Sequence, residues 1–154
     1  MEFILFLSKL DKEILELIKK TEYTVIENSE ICDIGKNFVG FHNGKEKVII
    51  ICTENAKRLG HYRDNKDIND DANHKTRIYI RRALRHEATH LAQWCNQNEI
   101  TGVVKNLEDK IHENKLNAIK SSLDFSGNLM TEIEAYVMED RPRQVIKALE
   151  NYCL

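Results

Sequence analysis

A chain of 154 residues is one domain's worth, long enough to bury a core and too short for two well-formed ones. Charged residues at 31%, hydrophobic residues at 42% and a net charge of −2 describe an ordinary folded protein, and the scattered Lys and Arg give no reason to expect a nucleic-acid partner. Met1 to Leu7 is apolar but carries Glu2, lacks a basic leader and a small-residue cleavage site, and is too short to span a bilayer, so a cytoplasmic protein without membrane attachment is expected.

In chain order, Glu2 to Leu7 reads as a strand. Ser8-Lys9-Leu10-Asp11 reads as the cap of a helix running to about Lys20, with Leu10, Ile14, Leu17 and Ile18 inward. Tyr23 to Glu27 is a second strand. Asn37 to His42, joined through Asn43-Gly44 to Lys47 to Thr53, carries a strong hairpin signal. Val48-Ile49-Ile50-Ile51-Cys52 is apolar on both sides, as in a strand buried against helices.

Gly60 to Thr76 is the one long polar connection. Its alternation of Asp67, Asn69 and Asp71 suggests a calcium loop, but Ala72 replaces the required Gly and Ile78 falls where the bidentate Glu belongs, which excludes an EF-hand. The stretch reads either as a solvated connection or as an overhang that brings His61, Tyr62 or His74 to a cleft.

A helix from Lys75 to Asn96 follows, with Leu84, Ala88, Leu91 and Cys95 as its apolar stripe. The helix carries His86-Glu87-Ala88-Thr89-His90, with the two histidines roughly opposite that stripe. Residues four apart lie one helical turn above each other, so His86 and His90 can each present a ring nitrogen to one tetrahedral zinc ion. Glu87, one residue along from the first ligand, leans to the side and can act as base toward a water on the ion. A catalytic zinc takes three protein ligands and leaves a position open. The only later histidine, His112, lies in a polar helix-like run from Val104 to Ile119 and reads as solvated.

The third ligand is sought in Thr131-Glu132-Ile133-Glu134-Ala135-Tyr136, at the start of a further helix. Leu129, Met130, Ile133, Val137 and Met138 centre its apolar face nearer to Glu134 than to Glu132. The two stand about 200° apart around the helix, so only one can reach the ion. Arg141-Pro142 opens a last helix to Tyr152 that packs Val145, Ile146 and Leu149. Cys32, Cys52, Cys95 and Cys153 show no C-x-x-C spacing, and reduced thiols are expected, with Cys95 and Cys153 the one conceivable pair.

H-E-x-x-H followed by a later helix bearing E-x-x-A resembles the gluzincin metallopeptidases, and the E-x-E-A form is similar to the small ImmA/IrrE-type and M48-type peptidases. The likeness covers the two motif helices. It implies an α+β, zincin-like domain spanning residues 1–154, with a small sheet packed on the H-E-x-x-H helix and a second helix supplying the last ligand. It implies Glu132 as that ligand, three residues before the small Ala135, with Glu134 the alternative. It also implies that part of the hairpin pairs with extended substrate backbone. The chain departs from these families at Tyr136, where they favour Asp or Asn.

The expected activity is hydrolysis of a peptide or protein with Zn2+ as cofactor. Glu87 passes the proton of the attacking water to the leaving amine, and Tyr136 either donates to the oxyanion or orients His86. The alternative is a zinc-binding sensor or interaction domain without turnover. The blandest reading is a metal-free structural protein.

Overall fold

The computed structural model describes residues 1–122 and 128–154. It opens on a departure from the sequence reading. Glu2–Phe6 is a 3-10 helix and not a strand. Phe3 and Phe6 are both fully buried. Three residues apart, they share one face of a three-residue turn, whereas a strand would send them to opposite sides. The backbone N–H groups of Glu2 and Phe3 donate to the Glu27 carboxylate at 2.8 and 2.6 Å, which replaces the ladder a strand would need.

Helix α1 (Lys9–Lys19) starts at the expected capping box: Asp11 N–H donates to Ser8 Oγ at 3.2 Å and Ser8 N–H donates to Asp11 Oδ2 at 3.0 Å. Its inward residues are Ile14, Leu15 and Ile18, with Leu10 and Leu17 only half-buried. Asp11 is fully buried and accepts from Arg85 Nε at 2.7 Å and Nη2 at 3.1 Å, so the cap also clamps α1 to the motif helix.

Strand β1 (Thr24–Glu27) is followed by a short helix α2 (Glu30–Ile34) and the hairpin β2 (Gly40–Asn43) and β3 (Val48–Ile51). The strand order is β1-β3-β2, with β1 parallel and β2 antiparallel to β3, so β2 is an edge. Ile49 and Ile51 are fully buried, while Val48 and Ile50 are half-buried. Only one face of β3 is packed, contrary to the expectation of burial on both. The strand also ends earlier than expected, since Cys52 is the N-cap of helix α3 (Thr53–Leu59).

Helix α4 (His74–Cys95) is the axis of the molecule, packed by α1, α3, the sheet, α6 (Leu129–Met138) and α7 (Pro142–Cys153). Ile80, Leu84, Ala88 and Leu91 form its buried stripe. Helix α5 (Glu113–Ser122) packs on α6. Among the described residues the architecture is α+β, with seven helices and a three-stranded mixed sheet.

The polar connection does not overhang a cleft near the motif. Asn73 Nδ2 donates to Asp67 O at 2.9 Å, Arg77 Nη1 donates to Asp70 O at 2.8 Å, and Tyr62 packs edge-on against Phe6 at 5.7 Å. The loop is thereby folded over the N-terminal end of α4, and His74 stands about 18 Å of helix away from His86. The cysteines also differ from expectation. Cys32 pairs with Cys52 and Cys95 with Cys153, a state that persists in oxidising surroundings and is uncommon in a reducing cytosol. No helix among the described residues is long and apolar enough to cross a membrane.

Candidate metal centre

His86 and His90, one turn apart on α4, meet Glu132 of α6. One ligand atom from each lies within 4.8 Å of the other two. His86 Nε2 and His90 Nε2 are 3.2 Å apart, His90 Nε2 is 3.0 Å from Glu132 Oε1, and His86 Nε2 is 3.7 Å from Glu132 Oε2. A tetrahedron with zinc–nitrogen bonds of about 2.0 Å has edges of about 3.3 Å, so the three donors fit a zinc ion. All three side chains are shielded but reachable, at 13%, 17% and 20% exposure. Glu132 arrives there because Asn128 caps α6, its Oδ1 accepting from Met130 N–H and Thr131 N–H at 3.1 and 3.3 Å.

Glu134, the alternative ligand, is elsewhere. It is fully buried, and its carboxylate accepts from Thr101 N–H, Thr101 Oγ1, Gly102 N–H and Gln93 Nε2, all within 3.0 Å. The apolar face of α6 did predict burial for Glu134, but burial in a hydrogen-bonded socket and not at the ion site. His112 is exposed, its Nδ1 accepting from Asn114 N–H, and takes no part. His61, Tyr62 and His74 are likewise outside the cluster.

Each imidazole is held from behind. His86 Nδ1 is 3.1 Å from Glu139 Oε1, and His90 Nδ1 is 2.9 Å from Gln93 Oε1. A carboxylate therefore orients His86 as metal-binding histidines require, but it comes from position 139. Tyr136 lies edge-on against the His86 ring at 4.6 Å, with Lys115 Nζ 4.5 Å above its own ring. Sequence reading missed Glu139 and Gln93. Both carried a signal: Glu139 shares a helical face with Glu132 and Tyr136, and Gln93 stands three residues past His90.

The surrounding carboxylates favour positive charge at this cluster. Burial opposes charge on His86, yet its bonds to Glu132 and Glu139 and the nearby Glu87 outweigh that and raise it to about 10. Glu132 also suffers burial, but bonds from His86 and His90 hold its carboxyl well below the usual range. Burial is the main influence raising Glu87, helped by the negative charges of Glu132 and Glu139 and opposed by the two histidines.

The hairpin closes the other side. A Cβ on Gly40 would lie 2.8 Å from Glu87 Cγ and 3.0 Å from its Oε1, so only glycine lets β2 come this close to the carboxylate. Gly44 lies over Trp94 in the same way, with 2.5 Å to the indole. Between hairpin and α4 runs a cleft of about 580 Å³, lined in part by His42, Asn43, His90, Trp94, Asn128 and Glu132. His42 sits 6.0 Å from the His90 ring and shares a 3.1 Å hydrogen bond with the Tyr23 hydroxyl. Burial, then the neighbouring His90, pushes His42 down to about 4, while burial pushes Tyr23 up to about 12. His42 is thus a neutral imidazole beside the cluster of His86, His90 and Glu132, and nothing local to the strand sequence marked it.

Comparison with curated proteins and with solved structures finds no match for this chain. The match to the family described as Domain of unknown function (DUF8637) runs over residues 3–154, and the chain belongs to that family.

Proposed function

We propose that the protein is a zinc-dependent metallopeptidase of the gluzincin type, a zincin-like domain that hydrolyses a peptide or protein substrate. The observation that carries this reading is the convergence of His86, His90 and Glu132 from α4 and α6, with Glu87 buried beside them. When bound, zinc supplies Lewis acidity that polarises a carbonyl and lowers the pKa of a coordinated water to about 7. The protein's own groups do the rest. Glu87, whose proton affinity is raised, takes the proton of the attacking water and returns it to the leaving amine.

His42, neutral and lining the same cleft, would donate a hydrogen bond to the developing oxyanion from the ring nitrogen that Tyr23 does not hold. Tyr136 stays a protonated phenol, raised to about 12 by burial and by the carboxylates of Glu139, Glu132 and Glu87. Its ring against His86 supports the role of bracing that ligand over the role of oxyanion donor. The free edge of β2 passes Glu87 at Gly40 and the cleft at His42 and Asn43, and extended substrate pairs with it there.

The test is protein purified without chelator, wild type beside Glu87→Gln, assayed for bound metal and against a diverse peptide library. The expected result is one zinc per chain in both, with turnover in the variant lower by about 10²-fold or more. If both hold zinc and neither cleaves, the non-catalytic zinc-binding sensor or interaction domain is the correct reading. If neither holds zinc, the motif is structural.

A further inference from the structure

Two residues past the ligand Glu132 stands a second buried glutamate that does not reach the ion. We infer that Glu134 serves the metal centre at one remove, by acting through Gln93 to fix the His90 imidazole with its proton on Nδ1 and its Nε2 lone pair free for zinc. The inference rests on the reading of His86, His90 and Glu132 as zinc ligands.

The argument is one of donors and acceptors. The two ends of a glutamine amide have the same shape and opposite hydrogen-bonding character. Gln93 is 2% exposed, so each end must be satisfied by protein. One end lies 2.9 Å from Thr131 O and 2.9 Å from Glu134 Oε1. A backbone carbonyl only accepts. The Glu134 carboxylate already accepts from Thr101 N–H, Thr101 Oγ1 and Gly102 N–H, so it too offers only lone pairs. That end of Gln93 is therefore the NH2 group, and the oxygen faces His90 Nδ1 at 2.9 Å. An amide oxygen cannot donate, so Nδ1 must carry the proton.

A reversed amide would set oxygen against oxygen on two contacts and an N–H against Nδ1, moving the ring proton to Nε2, where no metal can bind. Glu134 is in turn anchored by the 101–102 turn, whose Thr101 carbonyl accepts from the Tyr152 hydroxyl of α7 at 2.7 Å. Gln93 and Glu134 are positioning residues, and α6 supplies the ion with one glutamate directly and one through an amide.

Glu134→Gln would turn an NH2 toward a socket of donors and is a poor test, because it can fail to fold. Gln93→Met keeps the volume, removes the acceptor at His90, and leaves Glu134 its partners at 101 and 102. Thr101→Val is the control, since it removes one bond to Glu134 Oε2 and leaves Oε1, the acceptor that Gln93 uses, with its own partners.

Zinc affinity is measured by chelator competition, folding by thermal unfolding, and site geometry by the visible spectrum after cobalt substitution. The expected result is a folded Gln93→Met variant with zinc affinity lower by about 10- to 100-fold and an altered cobalt spectrum. The Thr101→Val variant is expected to melt earlier with zinc affinity within about twofold of wild type. A folded Gln93→Met that binds zinc as wild type does overturns this inference alone, and a wild type that binds no zinc overturns the metallopeptidase reading with it. A measurement on the zinc-loaded wild type covers the case of an unfolded variant. The His90 Nδ1–H should appear as a slowly exchanging proton in a nitrogen-correlated spectrum, and a rapidly exchanging one overturns the inference.

Discussion

At the scale of the residue, the centre is governed by where a few protons sit. His86 lies among Glu87, Glu132 and Glu139, whose negative charge favours a proton on its ring. Because that proton is held up to about 10, His86 is charged at pH 7.5, and on the proposed reading a zinc ion would have to expel it. Calorimetric titration of zinc in buffers of different ionisation enthalpy should report release of about one proton per ion from His86 at that pH. A binding enthalpy independent of the buffer would contradict this account of His86. The residue pair Glu132 and Glu134 makes the same point about environment: two identical side chains, about 200° apart around α6, meet an ion seat in one direction and a ring of backbone donors in the other.

At the scale of the element, the hairpin decides how Glu87, the proposed base, is held. Glu87 is carried by α4, but the wall it rests on is Gly40 of β2. Gly40→Ala places a Cβ 2.8 Å from Glu87 Cγ and 3.3 Å from Ala83 Cβ, so the Glu87 side chain must turn and β2 must back away slightly from α4. His86, His90 and Glu132 are not among the atoms that the added Cβ would meet. If the metallopeptidase reading holds, the variant keeps zinc and loses about 10²-fold in kcat, the penalty for a displacement near 1 Å at the reacting centre. Steady-state kinetics with metal analysis on the same sample checks it; a loss of zinc in step with activity would mean that β2 supports the ligands and not the base. The disulfide from Cys95 to Cys153 acts on another element boundary, fastening the end of α4 to the end of α7 just beyond the site.

At the scale of the whole molecule, the ion site and the sheet pull stability in different pH windows. His86 is raised in the folded state, so its contribution is fully present below about 6.5 and is lost as pH climbs toward about 10. His42 is lowered, so its contribution is present above about 6.5 and is lost as pH drops toward about 4. Glu132, also lowered, adds a loss at acid pH below its ordinary range. Glu87, raised by burial, loses its contribution as pH climbs above its ordinary range, so the metal-free protein should melt at its highest temperature at or somewhat below pH 6.5, with the melting point declining on both sides. Saturating zinc should raise the melting point and flatten the alkaline limb, because the ion then stands where the His86 proton stood. Thermal unfolding across pH, with chelator and with zinc, tests this, and an alkaline limb that zinc leaves unchanged would argue against a shared seat.

The sequence alone determined what depends on near neighbours in the chain. The i, i+4 spacing of His86 and His90 on one helical face, the Ser8–Asp11 cap and the turn at Asn43-Gly44 are local, so their chemistry is written within a few residues. The same locality misled at Glu2 to Phe6, where burial of Phe3 and Phe6 against distant elements overrode a strand-like composition. What only the tertiary structure decided is everything that depends on how α6, β2 and α7 are rotated and seated against α4. That seating selects Glu132 over Glu134, brings Glu139, Gln93 and His42 around two histidines, carries the 60–73 connection away from them and pairs all four cysteines. A helix's own periodicity gives the angle between its side chains, but the direction in which any of them points is set by packing against residues far away in sequence.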